Sequence, residues 1–209
     1  MLDCDGVLVR SEPANIAYYN RMFSHFSLRE VTSSDEASRK LLHTLSTPQV
    51  IAHFFPPAIQ AEAGDFAERL DFLEFSDLLM PEPGWKETLA DLKGVVSICV
   101  ATNRGQSAGK VLEAVGLCDR VERIFTVKMV RRPKPAPDLL ELALATFGVG
   151  REKALYVGDS GLDREAARAA GVTFVGFRTD GDYRIDSPDE LKSVIHFIKT
   201  PTNGERNRR

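Results

Sequence analysis

Four short polar clusters hold most of the side chains with which this chain could do chemistry. Asp3 and Asp5 stand two residues apart, followed by Gly6. Thr102 and Asn103 end an apolar run, and Lys134 lies between two prolines in Arg132-Pro133-Lys134-Pro135. Asp159 and Asp163 flank Ser160, Gly161 and Leu162. Singly, each has an ordinary explanation. Asp-Gly is a common turn, Thr102 or Asn103 can cap a helix, and Ser160 with Asp163 is a capping pattern. A lysine between prolines is usually exposed on a stiff loop. Together they are four carboxylates, a hydroxyl and a lysine. Gathered in one place, the carboxylates would repel one another and resist ionisation unless cations compensated them. Lys134 supplies one charge and a divalent metal would supply the rest. Carboxylate and carbonyl oxygens with water are the ligand set of Mg²⁺, and no His or Cys cluster suggests zinc.

Such convergence needs a fold that brings distant segments to one edge. After Gly84, helical patterns alternate with short apolar runs rich in β-branched residues. Met1 and Leu2 read as the end of a first strand, and residues 95–101, 124–127, 154–157 and 172–177 as four more. Helices between them carry Trp85, Leu89 and Leu92; Ala108, Val111, Leu112 and Val115; Leu139, Leu140, Ala143 and Phe147; and then Ala166 to Ala170. A last helix opens at Ser187-Pro188-Asp189-Glu190 and buries Leu191, Val194, Ile195 and Ile198. This alternation predicts right-handed crossovers and an α/β fold with a doubly wound, Rossmann-like parallel sheet. Ligands in such sheets bind beyond the carboxyl ends of the strands, where all four clusters fall.

Before Gly84 the texture differs. Residues 11–83 are helical and rich in aromatics, with Ile16, Tyr19, Phe23 and Phe26 drawing one apolar stripe. Met80-Pro81-Glu82-Pro83-Gly84 breaks the pattern as a hinge. The expected division is a core of residues 1–10 and 84–199, an inserted α-helical domain of 11–83, and a disordered polar tail at 200–209.

The 209 residues are 43% hydrophobic and 27% charged, with a formal net charge of -3. That describes an ordinary soluble globular chain and argues against a nucleic-acid binder, which would carry a basic surface. No apolar run reaches membrane-spanning length, and Met1-Leu2-Asp3 shows no export leader. Cys4, Cys99 and Cys118 are too scattered for a disulfide framework, so a cytoplasmic location is expected.

The chain resembles the haloacid dehalogenase superfamily of phosphotransferases over nearly its whole length. The resemblance rests on Asp3-Cys4-Asp5-Gly6-Val7, Ala101-Thr102-Asn103, Lys134-Pro135-Ala136-Pro137-Asp138, and Val157-Gly158-Asp159-Ser160 with Asp163, in that order. It implies that the helical insertion is the family's mobile cap. It implies further that Asp3 attacks phosphorus, Asp5 is the general acid and base, and Thr102, Asn103 and Lys134 hold the phosphoryl group. The metal would rest on Asp3, the Asp5 carbonyl and Asp159, supported by Asp163. Asp5 favours phosphate-ester chemistry, since the family's dehalogenases lack that second aspartate. Leu45-Ser46-Thr47-Pro48-Gln49 lacks the glycine and arginine of β-phosphoglucomutase-type mutases. The expected protein is therefore a Mg²⁺-dependent phosphatase acting on a small phosphorylated metabolite, in the manner of phosphoglycolate phosphatases. Arg39, Lys40 and His43 could reach an anionic substrate from the cap, and Arg10 stands where relatives often carry Asp. Two apolar residues before Asp3 imply either a short central strand or a truncated start, and from the short strand comes a rival expectation: an impaired relative that binds phosphate or a partner protein without turnover. A sugar-phosphate mutase is the other alternative.

Overall fold

The computed structural model describes residues 1–199; the tail expected at 200–209 lies outside them. The expected first strand is reduced to Leu2, which bridges Val100 on one side and Val157 on the other, both in parallel. Leu2 N–H donates to the Cys99 carbonyl, Ala101 N–H to Leu2, Val157 N–H to Met1 and Asp3 N–H to Val157, at 2.9–3.0 Å. To one side lie β3 (Cys99–Thr102) and then β4 (Arg123–Thr126). To the other lie β5 (Leu155–Gly158), β6 (Thr173–Phe177) and β7 (Tyr183–Ile185). Every pairing in this sheet is parallel. The chain winds outward in both directions from Leu2, so strand order reverses beside Asp3.

Alternation along the strands builds two cores. Leu2, Val100, Val157 and Val175 point to one face, where they meet Trp85 and Leu89 of α5 (Trp85–Leu92), Val111 and Leu112 of α6 (Ala108–Ala114) and Leu191 of α9 (Glu190–Lys199). Cys99, Ala101, Tyr156 and Phe174 point to the other, against Leu139, Leu140 and Ala143 of α7 (Asp138–Phe147) and Ala166, Ala167 and Ala170 of α8 (Gly161–Ala170). The architecture is the expected α/β Rossmann-like core with a helical cap inserted after its first strand.

Three details depart from the sequence reading. The apolar run at 95–101 is not one strand. Gly94 (φ +78°) turns the chain after α5, Val95 N–H returns to the Leu92 carbonyl, and pairing begins only at Cys99. β7 was not expected, because Tyr183-Arg184-Ile185 is too short and polar to read as a strand. The hinge is itself paired: β1 (Val9–Arg10) and β2 (Met80–Pro81) form an antiparallel ribbon where the chain enters and leaves the helical segment.

That segment comprises α1 (Glu12–His25), α2 (Glu36–Thr44), α3 (Thr47–Phe54), α4 (Gln60–Arg69) and a 3₁₀ turn at Phe72–Leu78. The stripe on α1 is Tyr18, Tyr19, Met22 and Phe23, with Ile16 half-buried at its edge. Ser46 and Gln49 form a capping box that starts α3, so the Leu45–Gln49 stretch is a helix entry rather than a free loop. Among the described residues no helix is long and apolar enough to cross a membrane.

Glu82 fastens the ribbon to the core. Its buried carboxylate accepts from Arg10 Nε and Nη2 at 2.6 and 3.0 Å and from Arg178 Nη2 at 2.8 Å. Burial works to raise its pKa, but the two guanidiniums override that and leave it lowered. A lowered carboxylate pKa stabilises the fold above its unfolded value and loses that contribution as pH falls through the folded one. Both arginines are half exposed, so about 1 kcal/mol is a fair value for the pairing. Glu82→Gln is therefore expected to lower the melting temperature at neutral pH by roughly 2–4 °C. The gap to wild type should close below about pH 4, which thermal melts across that range would check.

Candidate active site

The site residues gather at three strand ends and one loop. Asp3 follows Leu2 directly, and its main chain is tied to β5. Lys134 has no strand of its own; Asn103, just beyond β3, fixes it. Asn103 Nδ2 donates to the Lys134 carbonyl at 3.1 Å, and the Lys134 N–H donates to Asn103 Oδ1 at 2.8 Å. The Asn103 side chain is thus turned to the Lys134 main chain rather than into the cavity.

The Lys134 ammonium is buried 2.7 Å from Asp163 Oδ1, 2.8 Å from the Tyr156 hydroxyl and 2.8 Å from Asp3 Oδ1. The last contact is an ion pair without hydrogen-bond alignment, so Asp3 Oδ1 is a buried oxygen lacking a hydrogen-bond partner. Asp163 is fully buried beneath the others, its second oxygen taken by the Ser160 N–H and hydroxyl at 3.1 and 2.5 Å. The capping pattern read from Ser160 and Asp163 is real, and it orients a carboxylate. Gly6 (φ +77°) and Gly158 give these acids room: a Cβ on Gly6 would strike the Asp159 carboxylate, and one on Gly158 would strike Asp163.

Carboxyl oxygens of Asp3, Asp159 and Asp163 lie within 4.8 Å of one another. Burial lifts Asp3 to about 7, with Lys134 opposing the lift and Asp163 adding to it. Burial, then the charges of Asp163 and Asp3, lift Asp159 to about 8. Asp163 goes the other way: burial would raise it, but Lys134 and the donated hydrogen bonds hold it low. Lys134 is raised, its carboxylate neighbours outweighing the burial that would lower it. One ammonium for three carboxylates leaves a deficit of positive charge, and Asp3 Oδ1 has an ion pair but no hydrogen bond. These residues fit a divalent cation, and an all-oxygen donor set suits Mg²⁺.

A cavity of about 1120 Å³ lies between the strand ends and the helical segment. Asp3, Asp5, Thr102, Asn103, Lys134 and Asp159 line it from the core, and Asn15, Tyr19, His43 and Gln49 from the helices. His43 thus faces the site, whereas Arg39 pairs with Glu12 at 2.8 Å and Arg10 with Glu82. The sequence reading passed over Arg104. Its guanidinium grips Asp5, with Nε 3.0 Å from Oδ2 and Nη2 2.5 Å from Oδ1, and the Ser11 hydroxyl also bonds Oδ1. Burial would raise the Asp5 pKa, but Arg104 dominates and brings it to about 2. The available signal was position: Arg104 follows Thr102-Asn103 at a strand end.

Comparison with known proteins gives a consistent picture. A family model described as haloacid dehalogenase-like hydrolase matches residues 1–177. The N-acetylmuramic acid 6-phosphate phosphatase of Pseudomonas putida is 30% identical over 93% of this chain and 94% of its own length. A subfamily IA hydrolase of the same superfamily from Geobacter sulfurreducens, known as a crystal structure, is 36% identical with a TM-score of 0.72, covering 93% of this chain and 94% of the other. CbbY from Rhodobacter sphaeroides, crystallised with phosphate, shares the fold at a TM-score of 0.77 and 24% identity, over 91% of this chain and 94% of its own.

The charge balance around Lys134 makes a test. Replacing it by Met would leave Asp3, Asp159 and Asp163 with no cation. The expected cost is about 3–5 kcal/mol of folding stability at neutral pH without added metal, measured by denaturant unfolding.

Proposed function

The chain belongs to the haloacid dehalogenase-like hydrolases, and on that premise we propose a Mg²⁺-dependent phosphatase that hydrolyses a small phosphomonoester through an aspartyl-phosphate intermediate. One observation carries the reading: Asp3 is a buried carboxylate at the floor of the cavity, 2.8 Å from Lys134 and grouped with Asp159 and Asp163. In this reading Mg²⁺, held by Asp3, Asp159 and the Asp5 carbonyl with Asp163 behind them, supplies charge neutralisation of the phosphoryl oxygens.

The chain's own residues do the rest. An Asp3 oxygen attacks phosphorus, the ester P–O bond breaks, and the leaving oxygen takes a proton from Asp5, which carries one only once it has parted from Arg104 and taken a proton from solvent. Asp5 then accepts a proton from the water that attacks phosphorus. The bond to Asp3 breaks, giving inorganic phosphate and the original carboxylate. Lys134, the Thr102 hydroxyl and the main chain at Asn103 hold the phosphoryl oxygens. Residues 11–83 act as a cap over a core of 1–10 and 84–199, closing through the β1–β2 ribbon and excluding water. The partner is a small phosphorylated metabolite that the cavity can enclose. Three unpaired cysteines agree with a reducing cytoplasm. The rival reading, a binding protein without turnover, has one observation in its favour: Asp5 is occupied by Arg104.

The test is hydrolysis of an aryl phosphate and a panel of phosphorylated metabolites with Mg²⁺ or with EDTA. Turnover should need the metal and fall at least roughly a thousandfold in Asp3→Asn. Folded protein that turns over no phosphate ester would support the binding protein instead.

A further inference from the structure

Arg104 has a full set of partners drawn from both sides of the cavity. Besides Asp5, its Nη2 lies 2.6 Å from Asn15 Oδ1 in α1 and its Nη1 lies 3.3 Å from the Ser107 hydroxyl. The guanidinium sits over the Phe72 ring at 4.2 Å, and the Arg104 N–H donates to Thr102 Oγ1 at 3.1 Å. Its side chain is 6% exposed and that of Asp5 is 12% exposed. Both Asp5 oxygens are therefore filled, one by a guanidinium nitrogen and the other by a second nitrogen and the Ser11 hydroxyl. In this arrangement neither faces a leaving oxygen.

We propose that Arg104 is a specificity-determining residue that holds Asp5 out of the reaction until a second anionic group on the substrate takes the guanidinium. This rests on the phosphatase reading above. A guanidinium in a nearly dry pocket is strongly unfavourable without an anion, so it leaves Asp5 only for a replacement. A carboxylate or a second phosphate can accept the same two parallel N–H groups. A neutral organic group cannot, and an ester of that kind leaves Arg104 on Asp5. Asn15 and Ser107 can steady the fork while it changes partner. The substrate class is thus a phosphate ester whose organic part carries its own negative charge.

Three probes built on one two-carbon body test this: 2-phosphoglycolate with a carboxylate, ethylene glycol bisphosphate with a second phosphate, and 2-hydroxyethyl phosphate with neither. Wild type should hydrolyse at least one charged probe with a kcat/KM roughly tenfold to a hundredfold above the neutral one. The better of the two identifies the anion. In Arg104→Gln, shown folded by circular dichroism, that ratio should collapse towards unity, through a rise in KM for the charged probe and a rise in kcat for the neutral one, whose Asp5 is no longer held. Arg104→Lys, which keeps the charge but not the fork, should restore part of it. Equal kcat/KM for all three probes in wild type would overturn the proposal while leaving a phosphatase. A ratio that survives in Arg104→Gln would overturn it too. If Arg104→Gln does not fold, the wild-type ratio and its value in Arg104→Lys decide, and a ratio undiminished by lysine counts against the fork. Turnover of none of the probes, nor of any other ester, would remove the phosphatase reading itself.

Discussion

The Lys134 ammonium is the contact on which the rest of the site depends. Three carboxylates are drawn to one edge of a parallel sheet, and two of them, Asp3 and Asp163, approach it within 2.8 Å. Without that charge, burial and mutual repulsion would favour neutral acids or a more open edge. Lys134 also joins three strand ends mechanically. Asn103 ties the Lys134 main chain to β3, while the ammonium reaches Tyr156 of β5 and Asp3 beside Leu2. Tyr156 lies 2.9 Å from both the Ala101 carbonyl and Asp163 Oδ1, so its hydroxyl sits between the two strands that flank Leu2.

Leu2 lies between β3 and β5 and is bridged to both in parallel. A single residue, with Met1 and Asp3 at its sides, carries the ladder between β3 and β5 through four main-chain hydrogen bonds of 2.9–3.0 Å. Flanking strands covered on both faces keep water from competing for those bonds. The position proposed for the nucleophile, Asp3, is tied to both flanking strands, through its own N–H to Val157 and through Leu2 to Cys99 and Ala101.

The sheet was legible because its strands are buried on both faces and read as apolar runs at helix-length intervals. The strand-end rule then drew Asp3, Thr102 and Asp159 together with no knowledge of any distance, and Lys134 joins them from a loop. It failed where structure is set by partners rather than pattern. Val95 and Val96 are as apolar as a strand, but the turn at Gly94 takes them out of the ladder. Tyr183-Arg184-Ile185 becomes β7 because β6 offers an edge. Asn103 has the residue type of a phosphate donor, yet its amide matches both the N–H and C=O of Lys134. Arg104 was hardest to see. Arginine in a polar stretch normally lies in water, and this one is buried only because Asn15 and Phe72 arrive from a segment more than thirty residues away in sequence.

That last feature links the helical segment to the chemistry. From Asp5 the contacts run through Arg104 to Asn15, and Asn15 Nδ2 lies 3.1 Å from His43 Nδ1 on α2. A planar fork can serve Asp5 and Asn15 together, which a single ammonium would do less well. The coupling works in both directions, as any such linkage must. Drawing Asn15 and Phe72 away weakens the hold of Arg104 on Asp5, and drawing Arg104 off Asp5 loosens its grip on the helices. One ion pair thus ties the state of a carboxyl group to the position of the helices above it, and an anion entering the cavity acts on both at once.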